Sequence, residues 1–312
     1  MQTMKAVRIH TYGGPEVLVY EEAPRPQPEK GELLVRVEAA GVNPVDWKIR
    51  EGYLKEMLPH SLPLIMGWDV SGVVEATGPG VTRFRIDDEV FSRPDLLRNG
   101  TYAEYVVIRE TEVAVKPESV DHIHAAAIPL AGLTAWKSLI ETARLAPGQR
   151  ILIHGAAGGV GSVAVQLAKW RGAHVIATAS AQNHDYLQKL GADEVIDYRK
   201  VRFEEVTSKV DVVFDTIGGD TQERSWEVLH EGGILVSIVK PPSAETAAAR
   251  RVRQAFVFIQ PDAAVLTELA KLVDTGMLRP YVEAVLPLVE ARRAQEMSQG
   301  GHVRGKIVLK IV

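Results

Sequence analysis

Residues 150–170 read RILIHGAAGGVGSVAVQLAKW, and the reading of this stretch decides the fold. A short apolar run at 150–154 enters a glycine-rich turn. An apolar segment from Val160 to Trp170 follows at helical spacing and stops at Gly172. Strand, tight turn and helix in immediate succession leave the first amides of the helix free to face an anion. Glycines permit the turn and let a phosphate approach the backbone. The spacing departs from a plain G-x-G-x-x-G, because Ala156 and Ala157 both lie between Gly155 and Gly158. Gly155, Ala157, Gly158, Gly159, Val160 and Gly161 form the expected pyrophosphate-binding turn. The bland alternative is a strand–helix turn that binds nothing.

Outward from this stretch, apolar runs recur at 174–178, 194–197, 211–215, 234–239 and 255–259, with helical segments between them. Six strands in strand–helix alternation predict an α/β fold, a doubly wound parallel sheet over residues 124–275. The sequence predicts one helix over 125–144, before Pro147-Gly148, and another from Pro261 to about Thr275, closed by Gly276. Residues 1–123 differ in texture. Short β-branched runs at 6–9, 32–38, 70–75 and 103–108 are separated by Gly13-Gly14-Pro15 and Gly78-Pro79-Gly80, which reads as a mainly antiparallel β domain. The tail returns to strand texture at 305–311 and has no place in a completed six-stranded sheet. Residues 276–312 are therefore expected to complete the first domain.

The 312 residues carry a net charge of -4 and no basic stripe, which argues against a nucleic-acid partner. No apolar stretch approaches the roughly 20 residues needed to cross a bilayer, and no membrane association is expected. The count of 0 Cys removes disulfides, a Cys nucleophile and Cys-based zinc sites. A cytoplasmic location is the expectation.

Five segments carry a family resemblance: Ala40-Gly-Val-Asn-Pro-Val-Asp-Trp-Lys-Ile-Arg-Glu-Gly52, Gly67-Trp-Asp-Val-Ser-Gly-Val-Val74, Pro129-Leu-Ala-Gly-Leu-Thr-Ala-Trp136, the glycine turn, and Gly300-Gly-His-Val-Arg-Gly-Lys-Ile-Val308. In this order they resemble the medium-chain dehydrogenase/reductase superfamily, in its zinc-independent branch of quinone oxidoreductases and alkenal/enone reductases. The resemblance implies a GroES-like catalytic domain beside a Rossmann domain. It also implies a small-molecule quinone or unsaturated carbonyl as substrate, and a homodimer formed through sheet edges of the cofactor domain. Zinc-dependent members carry ligands where this chain has Asn43, Trp68 and Ala131, so no metal is expected. His122 and His124 lack a third ligand of suitable spacing.

Without a metal, carbonyl reduction loses its electrophile. Hydride addition to an enone or quinone instead spreads charge over the conjugated oxygen, where a few hydrogen-bond donors suffice. The resemblance places Asn43 beside the nicotinamide ribose or the substrate oxygen; otherwise it is the turn residue before Pro44. Tyr53 can hydrogen-bond the developing enolate or serve as a pocket-wall aromatic. Thr134 resembles the threonine beside the nicotinamide ribose, or bonds its own helix. Gly218 lets the backbone approach the nicotinamide half, and Lys306 reaches a cofactor phosphate or is an ordinary exposed strand lysine. Asp46 reads as structural or ribose-linked.

NADPH is the expected cofactor. No acid follows the second strand until Asp185, Ser180 can donate to a 2′-phosphate, and Tyr198 and Arg199 end the third strand. Two other functions fit the same residues: a zinc-free alcohol dehydrogenase, or a non-catalytic protein that binds or senses a dinucleotide.

Overall fold

The computed structural model describes residues 2–311. Its first unit comprises residues up to Leu130, Gln260–Gly276 and Pro280 onward, and is built round the strand Glu32–Val42. That strand pairs antiparallel with Val70–Thr77, Tyr105–Arg109 and Lys306–Lys310 in a seven-stranded sheet. Val35, Val37, Val70, Val74, Ile307 and Leu309 belong to one buried cluster with Trp68. The tail strand lies directly on the central one, Ile307 opposite Val42 and Leu309 opposite Ala40.

The apolar runs miss several elements of this unit, two of them beside the closing strand. Val282–Pro287 pairs parallel with Lys306–Lys310, and the helix Ala291–Gln299 connects them. The strand alternates between half-buried and exposed positions, and the helix buries only Ala291, Ala294 and Gln295. The helix lacks the apolar density that marks an element in a single sequence, and the strand is short and buries only Leu286.

A buried guanidinium fastens the helix. Arg50 ends the helix Pro44–Arg50 and donates to Gly13 O at 3.2 Å, Gln295 Oε1 at 2.9 Å and Gln299 Oε1 at 3.1 Å, while pairing with Glu51 at 2.7 Å. The planar fork suits this task, since its donors leave in fixed directions.

The second unit, Ala131–Ile259 with Met277–Arg279, holds a six-stranded parallel sheet. Numbered within the unit, Arg150–Ile153 is first, His174–Ala179 second, Glu194–Asp197 third, Val210–Asp215 fourth, Leu229–Ser237 fifth and Arg253–Phe256 sixth. Their spatial order is third, second, first, fourth, fifth, sixth. Leu152, Ile176, Val213 and Leu235 are buried on the sheet and share one core.

Three expectations about elements are corrected. The helix expected over 125–144 is broken into His122–Ala126, Pro129–Trp136 and a π-helical turn Lys137–Thr142. Pro129 cannot donate an amide and disfavours a helical residue before it. The last strand runs over Arg253–Phe256 rather than 255–259, because its partner strand ends at Ser237. The helix Ala263–Asp274, expected within the dinucleotide domain, belongs to the first unit, where Ser119 N donates to Asp274 Oδ1 at 2.9 Å. Among the described residues no helix is long and apolar enough to cross a membrane.

Replacing Arg50 by Met keeps the apolar stem and strands its partners' acceptors. A loss of about 2–4 kcal/mol in urea unfolding is expected. A change below about 0.5 kcal/mol would show that water replaces the guanidinium at no cost.

Candidate active site

The glycine turn has the form a diphosphate needs. Gly155 adopts φ +61°, and a Cβ there would meet Thr216 Oγ1 at 2.5 Å. A Cβ on Gly161 would fall 2.3 Å from Gly155 O, so the helix can approach the turn only without a side chain. The helix Gly159–Trp170 begins at Gly158, and no side chain caps it. Its leading amides and the positive end of its dipole are left for an external anion. The residues present therefore fit a dinucleotide.

The neighbouring turns are held by buried polar groups. Asp215, at the end of the fourth strand, accepts from Ile217 N at 2.9 Å, Gly218 N at 2.8 Å, Gln222 Nε2 at 2.9 Å and Ser237 Oγ at 2.9 Å. Four donors satisfy the carboxylate and fix Gly218 at φ +78°. His154 lies beneath the glycine turn, with Nδ1 3.1 Å from Thr178 Oγ1 and Nε2 3.0 Å from Ser225 Oγ.

Strand register brings the residues expected around a 2′-phosphate together. Ala179 is paired with Asp197, so Ser180 and Tyr198 leave the sheet side by side. Ser180 Oγ accepts from Asn183 Nδ2 at 3.3 Å and keeps its own proton to donate. Tyr198 is exposed, the Arg199 guanidinium lies 5.8 Å from its ring centroid, and Arg199 N is anchored on Asp197 Oδ1 at 3.0 Å.

In the first unit, Asn43 sits in a buried polar cluster. It caps the helix Pro44–Arg50 and its backbone N donates to Asp46 Oδ2 at 2.8 Å, forming a capping box. Its Nδ2 donates to Asp69 Oδ2 at 2.8 Å, and its Oδ1 accepts from Lys306 Nζ. These bonds fix which way the amide faces and leave it one N–H. Asp69 Oδ1 accepts from Leu130 N at 2.7 Å.

Lys306 is corrected on both of its expected readings. It is only 6 % exposed, and its ammonium addresses Val42 O at 2.8 Å, Asn43 Oδ1 and Asp69 Oδ2 at 3.4 Å. Three donors on three internal acceptors leave none for a phosphate. Asp46 is wholly buried and accepts from the Tyr102 hydroxyl at 2.7 Å, so its reading as structural fits and a ribose contact does not. Burial pushes its carboxyl up to about 7, against the lowering pull of the Asn43 amide, the Tyr102 hydroxyl and Lys306. Burial likewise pushes Asp69 up, opposed by Lys306.

Tyr53 is 69 % exposed and packs edge-on to Trp47 at 6.2 Å between centroids. A hydrogen bond to Glu51 holds its phenol above the usual range. Thr134 is buried on the helix Pro129–Trp136 of the second unit. At two of the positions where the resemblance expects metal ligands, the Trp68 indole donates to Arg98 O at 3.2 Å and Ala131 offers no donor atom. Among the described residues no group of three or more His, Cys, Asp or Glu could hold a metal ion. His154, Asp215, Asp69 and Tyr102 were not assigned a role from sequence. Asp69 is the acid of the Gly67–Val74 segment, and the other three give no signal beyond that of an ordinary polar position.

Two family models match the chain: the alcohol dehydrogenase GroES-like domain over residues 29–118 and zinc-binding dehydrogenase over residues 190–309. A spinach chloroplastic quinone-oxidoreductase homolog is 34% identical, with 98% of each chain covered. An Arabidopsis thaliana chloroplastic NADPH-dependent alkenal/one oxidoreductase is 35% identical over 98% of this chain and 79% of its own. The solved quinone oxidoreductase of Coxiella burnetii superposes with a TM-score of 0.93 at 36% identity, covering 100% of both chains.

The raised carboxyl of Asp46 gives a pH test. A group whose folded pKa exceeds its unfolded value stabilises the fold fully below the unfolded pKa, near 3.8, and loses that contribution as pH rises through about 7. Asp46→Asn cannot ionise, so its melting temperature relative to wild type should climb between about pH 4 and about pH 7 and level off above that. A difference independent of pH would mean that Asp46 is ionised throughout.

Proposed function

The chain belongs to the medium-chain dehydrogenase/reductase superfamily, in its zinc-independent quinone oxidoreductase branch, and from that premise we propose that it is an NADPH-dependent reductase of quinones, 2-alkenals or enones. The observation that carries this reading is the donor set. Asn43, Trp68 and Ala131 offer hydrogen-bonding and apolar groups where a metal-assisted alcohol dehydrogenase needs ligands. Such a set suits a substrate whose own conjugation delocalises the charge.

Bound NADPH supplies a hydride to the carbon conjugated with the carbonyl or quinone oxygen. The protein's part is to bind, orient and stabilise. The uncapped amides after Gly158 hold the diphosphate, with Gly155, Ala157, Gly159, Val160 and Gly161 shaping the turn. Gly218 and Thr134 line the nicotinamide half. Asn43 offers its one remaining amide N–H to the ribose or the substrate oxygen. Tyr53 offers its phenol to the developing enolate by turning its single O–H away from Glu51. Solvent then completes protonation.

NADPH is favoured over NADH through Ser180, Tyr198 and Arg199. Ser180 and Tyr198 supply neutral donors and Arg199 a charged one, and no carboxylate follows the second strand until Asp185 to repel a 2′-phosphate.

Two measurements test the reading. A panel of quinones, 2-alkenals, enones and simple alcohols, followed by nicotinamide absorbance, should show turnover on conjugated substrates. Reversible oxidation of simple alcohols without enone or quinone reduction would replace the proposal by an alcohol dehydrogenase. In titrations NADPH should bind ~10- to 100-fold more tightly than NADH, as one or two charge-assisted bonds imply. The double variant Tyr198→Phe, Arg199→Ala should reduce that ratio to within about threefold. An unchanged ratio would remove both residues from the phosphate site.

A further inference from the structure

We infer that His154 is a positioning residue for dinucleotide binding, its imidazole held in one tautomer so that it ties the start of the glycine turn to the second strand and to the helix that follows Gly218. The inference rests on the dinucleotide reading above and concerns a residue that reading does not use.

The tautomer follows from the bonds. Ser225 Oγ donates its proton to Thr221 O at 2.6 Å, so towards His154 it can only accept. The proton therefore sits on Nε2, 3.0 Å from Ser225 Oγ. In a neutral imidazole Nδ1 is then an acceptor, and it takes the Thr178 hydroxyl at 3.1 Å. Both ring nitrogens are satisfied in one orientation only.

Each partner belongs to a different element, Thr178 to the second strand and Ser225 to the helix after the fourth strand. His154 itself precedes Gly155, and Ala156 N donates to Thr178 O at 3.2 Å. Thr178 is two residues before Ser180. Ser225 ends the helix Gly219–Ser225, whose N-cap is Gly218. On the backbone side, Thr216 Oγ1 donates to His154 O at 2.8 Å. One side chain thus joins the residue before the glycine turn to the second strand and to the last residue of the helix that Gly218 caps.

The surroundings keep the ring uncharged. Burial lowers its pKa to about 4. Arg224, on the helix that carries Ser225, also opposes protonation, while Asp215 on the fourth strand and Glu204 beside Phe203 favour it. Phe203 packs edge-on against the ring at 4.6 Å between centroids, and the Arg224 guanidinium covers Phe203 at 4.8 Å.

The two bonds can be removed separately, since an Asn amide oxygen reaches towards the Nδ1 position and a Gln amide nitrogen towards Nε2. The test uses the full chain as His154→Phe, His154→Asn, His154→Gln and Thr178→Val, with dissociation constants for NADPH and NADH and steady-state kinetics on a 2-alkenal. His154→Phe should weaken both dinucleotides by about tenfold, equally, because the braced turn serves their shared diphosphate. Its kcat at saturating dinucleotide should stay within about threefold, so the effect appears in KM. His154→Asn and His154→Gln should fall between, and Thr178→Val should add nothing in the His154→Gln background. Imidazole nitrogen shifts of the wild type should report the Nε2–H form from pH 5.5 to 8. Unchanged dissociation constants in folded variants, or an Nδ1–H ring, would overturn the inference while wild-type binding upheld the cofactor reading. Wild type that bound neither dinucleotide would overturn both.

Discussion

An ammonium taken out of water must find its hydrogen bonds inside the protein, and Lys306 meets that requirement with groups from the central strand, the turn after it and the start of another strand. Val42 O, Asn43 Oδ1 and Asp69 Oδ2 receive it. The arrangement joins the closing strand to the first unit beyond the backbone ladder that pairs Ile307 with Val42. It also decides what Asn43 can do, because an amide held at both ends presents a single N–H in a fixed direction. A cluster of this kind is costly to leave half satisfied, and most of its members are paired. One oxygen of Asp46 is not, which agrees with burial raising that carboxyl.

The second unit follows the same logic, with hydrogen bonds to neutral donors in place of the ion pair. Parallel strands end together at one edge of the sheet, and the turns there must be shaped without blocking a ligand's approach to the backbone. Glycine provides the space, and the shape comes from buried side chains beneath. Asp215 accepts four donors around the Gly218 turn, and His154 joins Thr178 to Ser225. Neither side chain is exposed, so both act through the turns they hold.

The sheet of the second unit was legible because each strand is an apolar run bounded by glycine or charge, and the glycine turn fixed where the first helix begins. The irregular elements were less legible for identifiable reasons. Pro129 broke a segment whose composition was helical throughout. The helix Ala291–Gln299 buries three residues among strongly polar neighbours, so its low apolar content hides it. Residues 263–274 form the expected helix, but packing assigned it to the first unit. An amphipathic face does not state which surface it will cover.

For the site, the sequence by itself determined the chemical inventory: a glycine turn, no Cys, no ligand set at Asn43, Trp68 and Ala131, and no acid directly after the second strand. These are properties of residue type and spacing, and folding does not change them. Tertiary structure alone decided which polar groups remain available. Lys306 looked free to meet a phosphate and is fully engaged internally, while Ser180 and Tyr198, 18 positions apart, are made neighbours by the pairing of Ala179 with Asp197. A hydrogen-bond donor is spent or spare according to what lies within about 3 Å of it, and those neighbours come from distant parts of the chain.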